Sequence, residues 1–321
     1  MERAVEVFEV LEPGILTTVQ DLGRFGFSRV GVPPSGALDA FSLRTGNLLV
    51  GNEEGEAGLE TTIMGLKLKA LKETVISMTG GDLLPALNGE PLRMWRSHLL
   101  IEGDILAFKG VRQGCRAYVC LRGGVAVPPV MGSKSTFLSG KFGGLEGRPL
   151  KKGDILYAAD LADPWERIGA SFPSDWIPVF GKGMTVRVVP GPQDHHFTVP
   201  GLQTFESSFY QVTARSDRMG IRLEGAKIER RSDAEESIIS ESLIPGSIQV
   251  PGDGKPMIIL NELVTGGYTK IATVISTDLP NVAQLKPGDR IRFEPVSLEA
   301  AHRLLREQEE RIRRFRDSLR D

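Results

Sequence analysis

The chain has 321 residues, room for two domains at roughly 150 each, and its 39 Lys and Arg against 41 Asp and Glu leave a net charge of −2; that balance excludes a global electrostatic attraction for nucleic acid or an anionic membrane. Forty per cent hydrophobic residues suit a packed core and exclude a disordered chain. No apolar run approaches the ~18 residues of a membrane span, and Glu2, Arg3 and Glu6 stand where a signal peptide needs apolar residues, so the sequence predicts a soluble, cytoplasmic protein.

Short apolar runs bounded by Gly, Pro, Asn or Asp predict a mainly β body. In chain order, a strand is expected at 5–11 and a helix over 38–50, where Leu38, Phe41, Leu48 and Leu49 recur near helical spacing before Gly51. Further strands are expected at 66–70, 75–79, 105–108 and 116–121, with Asn88-Gly89 as a hairpin turn between apolar runs 83–87 and 92–95. Cys115 and Cys120, five apart in an alternating segment, fall on opposite strand faces, which argues against a disulfide and fits a reducing compartment. A Pro-bearing linker with Trp165 and Trp176 is expected over 160–183, its tryptophans packing between lobes. Strands follow at 186–189, 209–214, 247–250, 257–260, 271–276 and 290–293. Leu298, Ala301, Leu305, Gln308, Ile312, Phe315 and Leu319 then set out a heptad seam on a final helix. One pattern, apolar-x-x-Gly-Asp-x-apolar, recurs at 100–106, 150–156 and 285–291. Each Gly suits a tight turn, and each Asp is expected to bond the backbone that follows. The domain division read from these features is 1–180, 181–297 and a C-terminal amphipathic helix at 298–321.

Several chemistries are excluded. Gly132-Ser133-Lys134-Ser135-Thr136 ends like a phosphate loop but lacks the upstream glycine. No Gly-x-Ser-x-Gly elbow occurs. His195-His196 reads as a solvated turn rather than a metal site, so no metal is expected. The Met-Lys dipeptide of biotin attachment is missing, so no biotin is expected on this chain. What remains is a series of glycine-flanked polar clusters. In the first half these are Gln20-Asp21-Leu22-Gly23-Arg24, 33–39, Arg122-Gly123-Gly124 and 132–136. In the second half they are Pro190-Gly191-Pro192-Gln193-Asp194, 216–220 and Thr265-Gly266-Gly267-Tyr268-Thr269-Lys270. Such turns can aim backbone N–H groups at an oxyanion while a nearby cation adds charge; taken singly, each reads first as a structural turn.

Taken together with Val50-Gly51-Asn52, and extended to 31–39, 216–225 and 265–274, these clusters resemble the carboxyltransferase-type family called allophanate hydrolase subunit 2-like, over about residues 5–297. The chain departs from the family pattern at Phe25 and Thr269, where Pro is common, and at Pro251-Gly252-Asp253-Gly254, where Pro-Pro-Asp-Gly is usual. The resemblance implies two cyclophilin-like β-barrel lobes followed by the C-terminal helix. It implies a B-type carboxyltransferase-like subunit and an A-type lactam-utilisation subunit as partners, with neither nucleic acid nor membrane among them. The activity it implies is that of an ATP-dependent 5-oxoprolinase complex, which opens the lactam of 5-oxoproline to L-glutamate. ATP is then the cofactor of the complex, and the substrate is a small amide or lactam. Two other roles in the family stay open: moving carboxylate from carboxybiotin to a urea-like acceptor, and non-catalytic binding of a kinase-inhibitor protein.

Within that frame the site is expected in a cleft of the second lobe. Asp217 is the candidate base, Arg218 the bidentate carboxylate clamp and Lys270 the neutralising cation. Gln249, Thr265, Gly266, Gly267 and Tyr268 are expected to bind substrate, with Arg24 and Asp39 added from the first lobe. The competing reading makes Asp217–Arg218 a structural ion pair and leaves Lys270 solvated.

Overall fold

Alternation of apolar and polar residues gives each strand one buried and one open face. In strand Leu66–Ala70 the residues Leu66, Leu68 and Ala70 are buried while the lysines between them are half-buried. The computed structural model describes residues 4–159, 167–181 and 183–320. It divides the chain into a first unit of Met1–Arg24, Ser35–Val179 and Ile312–Asp321, and a second of Phe25–Pro34 and Phe180–Arg311. Trp165 lies outside the described residues. No helix among the described residues is long and apolar enough to cross a membrane.

The first unit is built from two antiparallel sheets. One runs in the order Ile155–Ala159, Ala4–Pro13, Leu66–Ala70, Ile105–Phe108, Pro85–Leu87, Glu90–Pro91; the other runs Leu16–Gln20, Gly58–Thr62, Gln113–Leu121, Thr74–Asp82, Arg96–Leu100. Phe8, Val10, Leu68 and Leu106 from the first sheet and Val19, Leu59, Met78 and Val119 from the second share one core, so the sheets pack face to face. Helix Ala40–Leu49 covers the second sheet. Its Gly46 lies so near that a Cβ there would stand 2.8 Å from the Cys120 sulfur and 2.9 Å from the Thr79 hydroxyl, and Ser77 and Thr79 donate to the Gly46 and Ser42 carbonyls, each at 2.6 Å. Both cysteines are buried, and neither is in a disulfide.

The second unit contains a closed seven-stranded barrel in the order Gly183–Pro190, Thr269–Val274, Ser247–Val250, Met257–Ile259, Gly220–Glu224, Tyr210–Val212, Arg290–Pro295. Arg290–Pro295 closes it by pairing in parallel with Gly183–Pro190. Closure leaves no free sheet edge. Ile221, Ile258, Ile248 and Ala272 stand opposite one another around the wall and are all buried.

The three Gly-Asp turns form one repeated device. Gly103 and Asp104 exchange backbone hydrogen bonds with Ala70, Gly153 and Asp154 with Val10, and Gly288 and Asp289 with Val212. Each aspartate carboxylate accepts from the amide three residues earlier: Ile101 at 2.9 Å, Lys151 at 2.7 Å and Lys286 at 3.1 Å. The expected direction is therefore corrected. The carboxylate ties off the turn behind it and leaves the next residue free to start a strand.

The hairpin at Asn88-Gly89 forms with both residues at positive φ, 51° and 96°. Its second arm is only Glu90–Pro91, because 92–95 leaves the sheet and Trp95 adopts a φ of 59°. Helix Val199–Ser207 escaped the sequence reading, since Val199-Pro200-Gly201 looks like a turn; Thr198 caps it by accepting from the Gly201 amide at 3.0 Å. From the expected linker, Trp176 packs edge-on against Phe172, with ring centroids 6.1 Å apart, in a first-unit cluster. Helix Leu298–Ser318 follows the heptad seam. Ile312 and Phe315 are buried against Phe41, Trp95 and Phe172, whereas Leu305 is only half-buried and Leu298 is 53 % exposed.

Candidate functional site

In the second unit, a β-bulge decides which side chain faces Gln249. Ile248 pairs with Ala272, but Gln249 pairs with Lys270, so Ile271 is the extra residue. A regular ladder would have set Ile271 opposite Gln249; the bulge sets Lys270 there instead. Gln249 also faces Met257, which faces Arg222. This row lies on the opposite face of the wall from the buried Ile221–Ala272 row. Gln249 and Lys270 are nevertheless covered, at 2 % and 8 % exposure, because the 260–268 crossover and the 238–243 segment lie over them. Ile238 donates to the Gly267 carbonyl at 2.8 Å and Leu243 to the Val264 carbonyl at 2.9 Å, and Glu241–Ser242 pairs with Thr265–Gly266.

Gln249 donates to the Tyr268 carbonyl at 3.1 Å. Its amide rests on Gly266, where a Cβ would stand 2.6 Å from Nε2 and 2.9 Å from Oε1. Tyr268 leaves its ring at the surface, 41 % exposed, and Thr265 is also exposed.

Two residues absent from the expected set complete the cluster. Glu241 Oε2 accepts from Lys270 Nζ at 2.5 Å and from Gln193 Nε2 at 3.0 Å. These two hydrogen bonds, with the charge of Lys270, hold the Glu241 carboxyl below the usual carboxylate range. Gln193 Oε1 accepts from the Lys270 amide at 3.0 Å. The turn bearing Gln193 sits on the same strand, since a Cβ on Gly191 would come within 2.3 Å of the Lys270 carbonyl oxygen. Gln193 belonged to a glycine-flanked motif, so its cluster was visible in the sequence. Glu241 lies in no motif, and only the ribbon pairing reveals it.

Asp217 and Arg218 stand elsewhere. Gly220 pairs with Ile259, and the Gln249–Lys270 row crosses this strand at Arg222, two residues and about 7 Å further on; Asp217 and Arg218 precede Gly220. Along this strand, Asp217 and Arg218 are therefore offset from the row that carries Gln249 and Lys270. Asp217 and Arg218 also turn to different partners. Asp217 Oδ1 accepts from the Met219 and Gly220 amides at 2.8 and 3.2 Å, shaping a turn. Arg218 Nε donates to Glu262 Oε1 at 2.7 Å, and both side chains are 3 % exposed. Lys270, covered and bound to a carboxylate, is not the solvated residue of the competing reading.

In the first unit, Arg24 is buried with its guanidinium 5.0 Å above the Phe142 ring and donates to the Ser135 carbonyl. Asp39 caps helix Ala40–Leu49, accepting from the Ser42 amide at 2.9 Å and its hydroxyl at 2.6 Å. Its own amide donates to the Tyr118 hydroxyl at 2.8 Å, which donates to Glu60 at 2.7 Å. Burial first, then the neighbouring Glu60 charge, raises that phenol well above its ordinary value. Motif residues 20–24 and 132–136 meet here. Asp21 accepts from the Gly23 amide at 2.7 Å, the Ser133 hydroxyl at 2.7 Å, the Ser135 hydroxyl and the Lys134 amide at 2.6 Å, and Lys134 Nζ binds Glu56. The phosphate-loop-like segment is thus folded around a carboxylate of its own chain. Its donors are committed, and it does not fit a nucleotide phosphate.

Among the described residues no group of His, Cys, Asp and Glu could hold a metal ion. His195 and His196 meet edge to face, with ring centroids 4.6 Å apart.

Residues 30–295 match the family described as "Carboxyltransferase domain, subdomain A and B". The chain is 37 % identical over 306 residues to the C-type 5-oxoprolinase subunit of Escherichia coli K12, covering 94 % of this chain and 96 % of that one. It is also 37 % identical over 330 residues to urea amidolyase of Lachancea kluyveri, covering 97 % of this chain but only 18 % of that protein. Among solved structures, Kluyveromyces lactis urea carboxylase superposes with a TM-score of 0.91 at 36 % identity, over 96 % of this chain and 29 % of that one.

Proposed function

Because this chain belongs to the carboxyltransferase-domain family, subdomains A and B, we propose that it serves as the C-type subunit of an ATP-dependent 5-oxoprolinase, with Lys270 at the substrate site of its second unit. The family places the chain among components of multi-part enzymes, a 5-oxoprolinase on one side and urea carboxylases on the other. One observation favours the first: Lys270, held in the barrel wall, already binds a carboxylate. 5-Oxoproline carries a carboxylate beside its lactam, whereas urea carries none. Lys270 neutralises that charge, and Gln249 keeps the Tyr268 backbone in place. ATP, bound in the complex, supplies activation of the lactam oxygen. Partner subunits of the A and B types complete the proposed complex. The second reading, transfer of carboxylate from carboxybiotin to a urea-like nitrogen, draws on the similarity to urea carboxylase.

The test is coexpression with candidate A-type and B-type subunits, followed by assay of glutamate formed from 5-oxoproline and ATP. Activity is expected only when all components are present, and none in any combination would overturn the proposal. Biotin-dependent carboxylation of urea by the same mixture would favour the second reading. In an active complex, Lys270→Ala should cost on the order of 10²-fold in turnover while assembly and melting temperature hold. A loss within about threefold, far below that expectation, would remove Lys270 from the site.

A further inference from the structure

We propose that Glu241 is a built-in stand-in for the substrate carboxylate, and that Lys270 and Gln193 form the two-donor seat from which an anionic ligand displaces it. This rests on reading the Lys270 cluster as the ligand site. A single oxygen, Glu241 Oε2, takes both the ammonium and the amide hydrogen bond, and a charged donor plus a neutral one converging on one oxygen is how a carboxylate ligand is recognised.

The two sides of the contact are built differently. The Lys270 side chain is 10 % exposed and that of Glu241 is 48 % exposed, so the seat belongs to the wall and the carboxylate reaches it from outside. Gln193 is locked in orientation because its Oε1 accepts from the Lys270 amide. That bond fixes Nε2 as the end that points to the ligand. Glu241 instead rides on a two-residue ribbon, Glu241–Ser242 against Thr265–Gly266, flanked by Ile239 at 92 % exposure. A ribbon this short and open moves at little cost compared with a closed barrel, and an ion pair with so exposed a carboxylate is weak. The occupant is also chemically apt. Opening the lactam of 5-oxoproline yields glutamate, whose side chain ends in the same carboxylate that Glu241 presents.

The ligand class is therefore a small carboxylate, either the α-carboxylate of 5-oxoproline or the side-chain carboxylate of glutamate. Isothermal titration of the full chain with 5-oxoproline, glutamate and the neutral lactam 2-pyrrolidinone separates the cases. If Glu241 fills the seat about nine-tenths of the time, Glu241→Ala should tighten carboxylate binding about tenfold and leave 2-pyrrolidinone unchanged. Whichever carboxylate gains identifies the source. Glu241→Gln keeps the side-chain length without its charge and should shift affinity in the same direction, which covers an Ala variant that fails to fold. Gln193→Ala should weaken the same ligand severalfold. Unchanged or weaker carboxylate binding in both Glu241 variants, with Lys270→Ala still abolishing it, would overturn the stand-in and leave the site reading intact. Wild-type affinity in Lys270→Ala would overturn both. No saturable carboxylate binding to wild type or to either Glu241 variant would overturn the stand-in as well.

Discussion

At the scale of single residues, the buried ions of the second unit divide into two kinds. Arg218 and Glu262 are enclosed together and meet through a 2.7 Å hydrogen bond, so removing the carboxylate breaks a charge-assisted bond where water cannot reach it. Such losses cost about 3–5 kcal/mol. Glu262→Ala should accordingly lower the melting temperature on the order of 10 °C, and Glu262→Gln, which keeps an acceptor for Arg218, should lose less. A thermal melt of both variants decides it, and equal melting for Glu262→Ala and wild type would show that the pair carries no stability. Lys270 is of the other kind, because its carboxylate partner stands half in solvent. The sequence showed both cations but misassigned one partner. Arg218 lies next to Asp217 in the chain, yet the 217–220 turn uses the aspartate for its own amides and the guanidinium finds a carboxylate 44 residues away.

At the scale of elements, local chemistry was legible wherever a turn or helix end carries its own instructions. Asn88-Gly89 requires two positive φ values and has them. The Gly-Asp pairs recur because glycine opens the turn and aspartate closes it. Asp39 ends the 33–39 cluster and caps the helix that follows, a role for which a short acceptor side chain suffices. Asp39→Ala should therefore destabilise the protein by about 1–2 kcal/mol, read in a denaturant melt, with Asp39→Asn keeping most of the cap. Equal stability of Asp39→Ala and wild type would show the cap to be idle. The bulge at 271 was not legible. Nothing in Thr269-Lys270-Ile271-Ala272 distinguishes it from a regular strand, because a bulge is a property of two strands in register and not of one.

At the scale of the whole molecule, helix Leu298–Ser318 shows how much a periodic pattern can and cannot state. Its seam predicted burial at Leu305, Ile312 and Phe315, and the structure fully buries the last two, in an aromatic cluster where the Phe315 and Phe172 rings lie 4.7 Å apart. Phe315→Ala should cost about 3–5 kcal/mol, whereas Leu298→Ala, at an exposed position, should stay within about 0.5 kcal/mol. Comparable losses for the two in urea titrations would contradict this packing. What the sequence by itself determined is what repeats at short range: short strands, their turns, the helix at 40–49 and the apolar seam of the last helix, since backbone propensity and side-chain periodicity act over a few residues. What only the tertiary structure decided is every pairing that closes over long separations. These include the parallel contact of 183–188 with 290–295 that shuts the barrel, the meeting of 20–24 with 132–136 around Asp21 and the convergence of Gln193, Glu241 and Lys270 on one oxygen. Polar side chains carry no periodic mark of their partners, and which charges meet is settled by strand register and burial, quantities that exist only once the chain has folded.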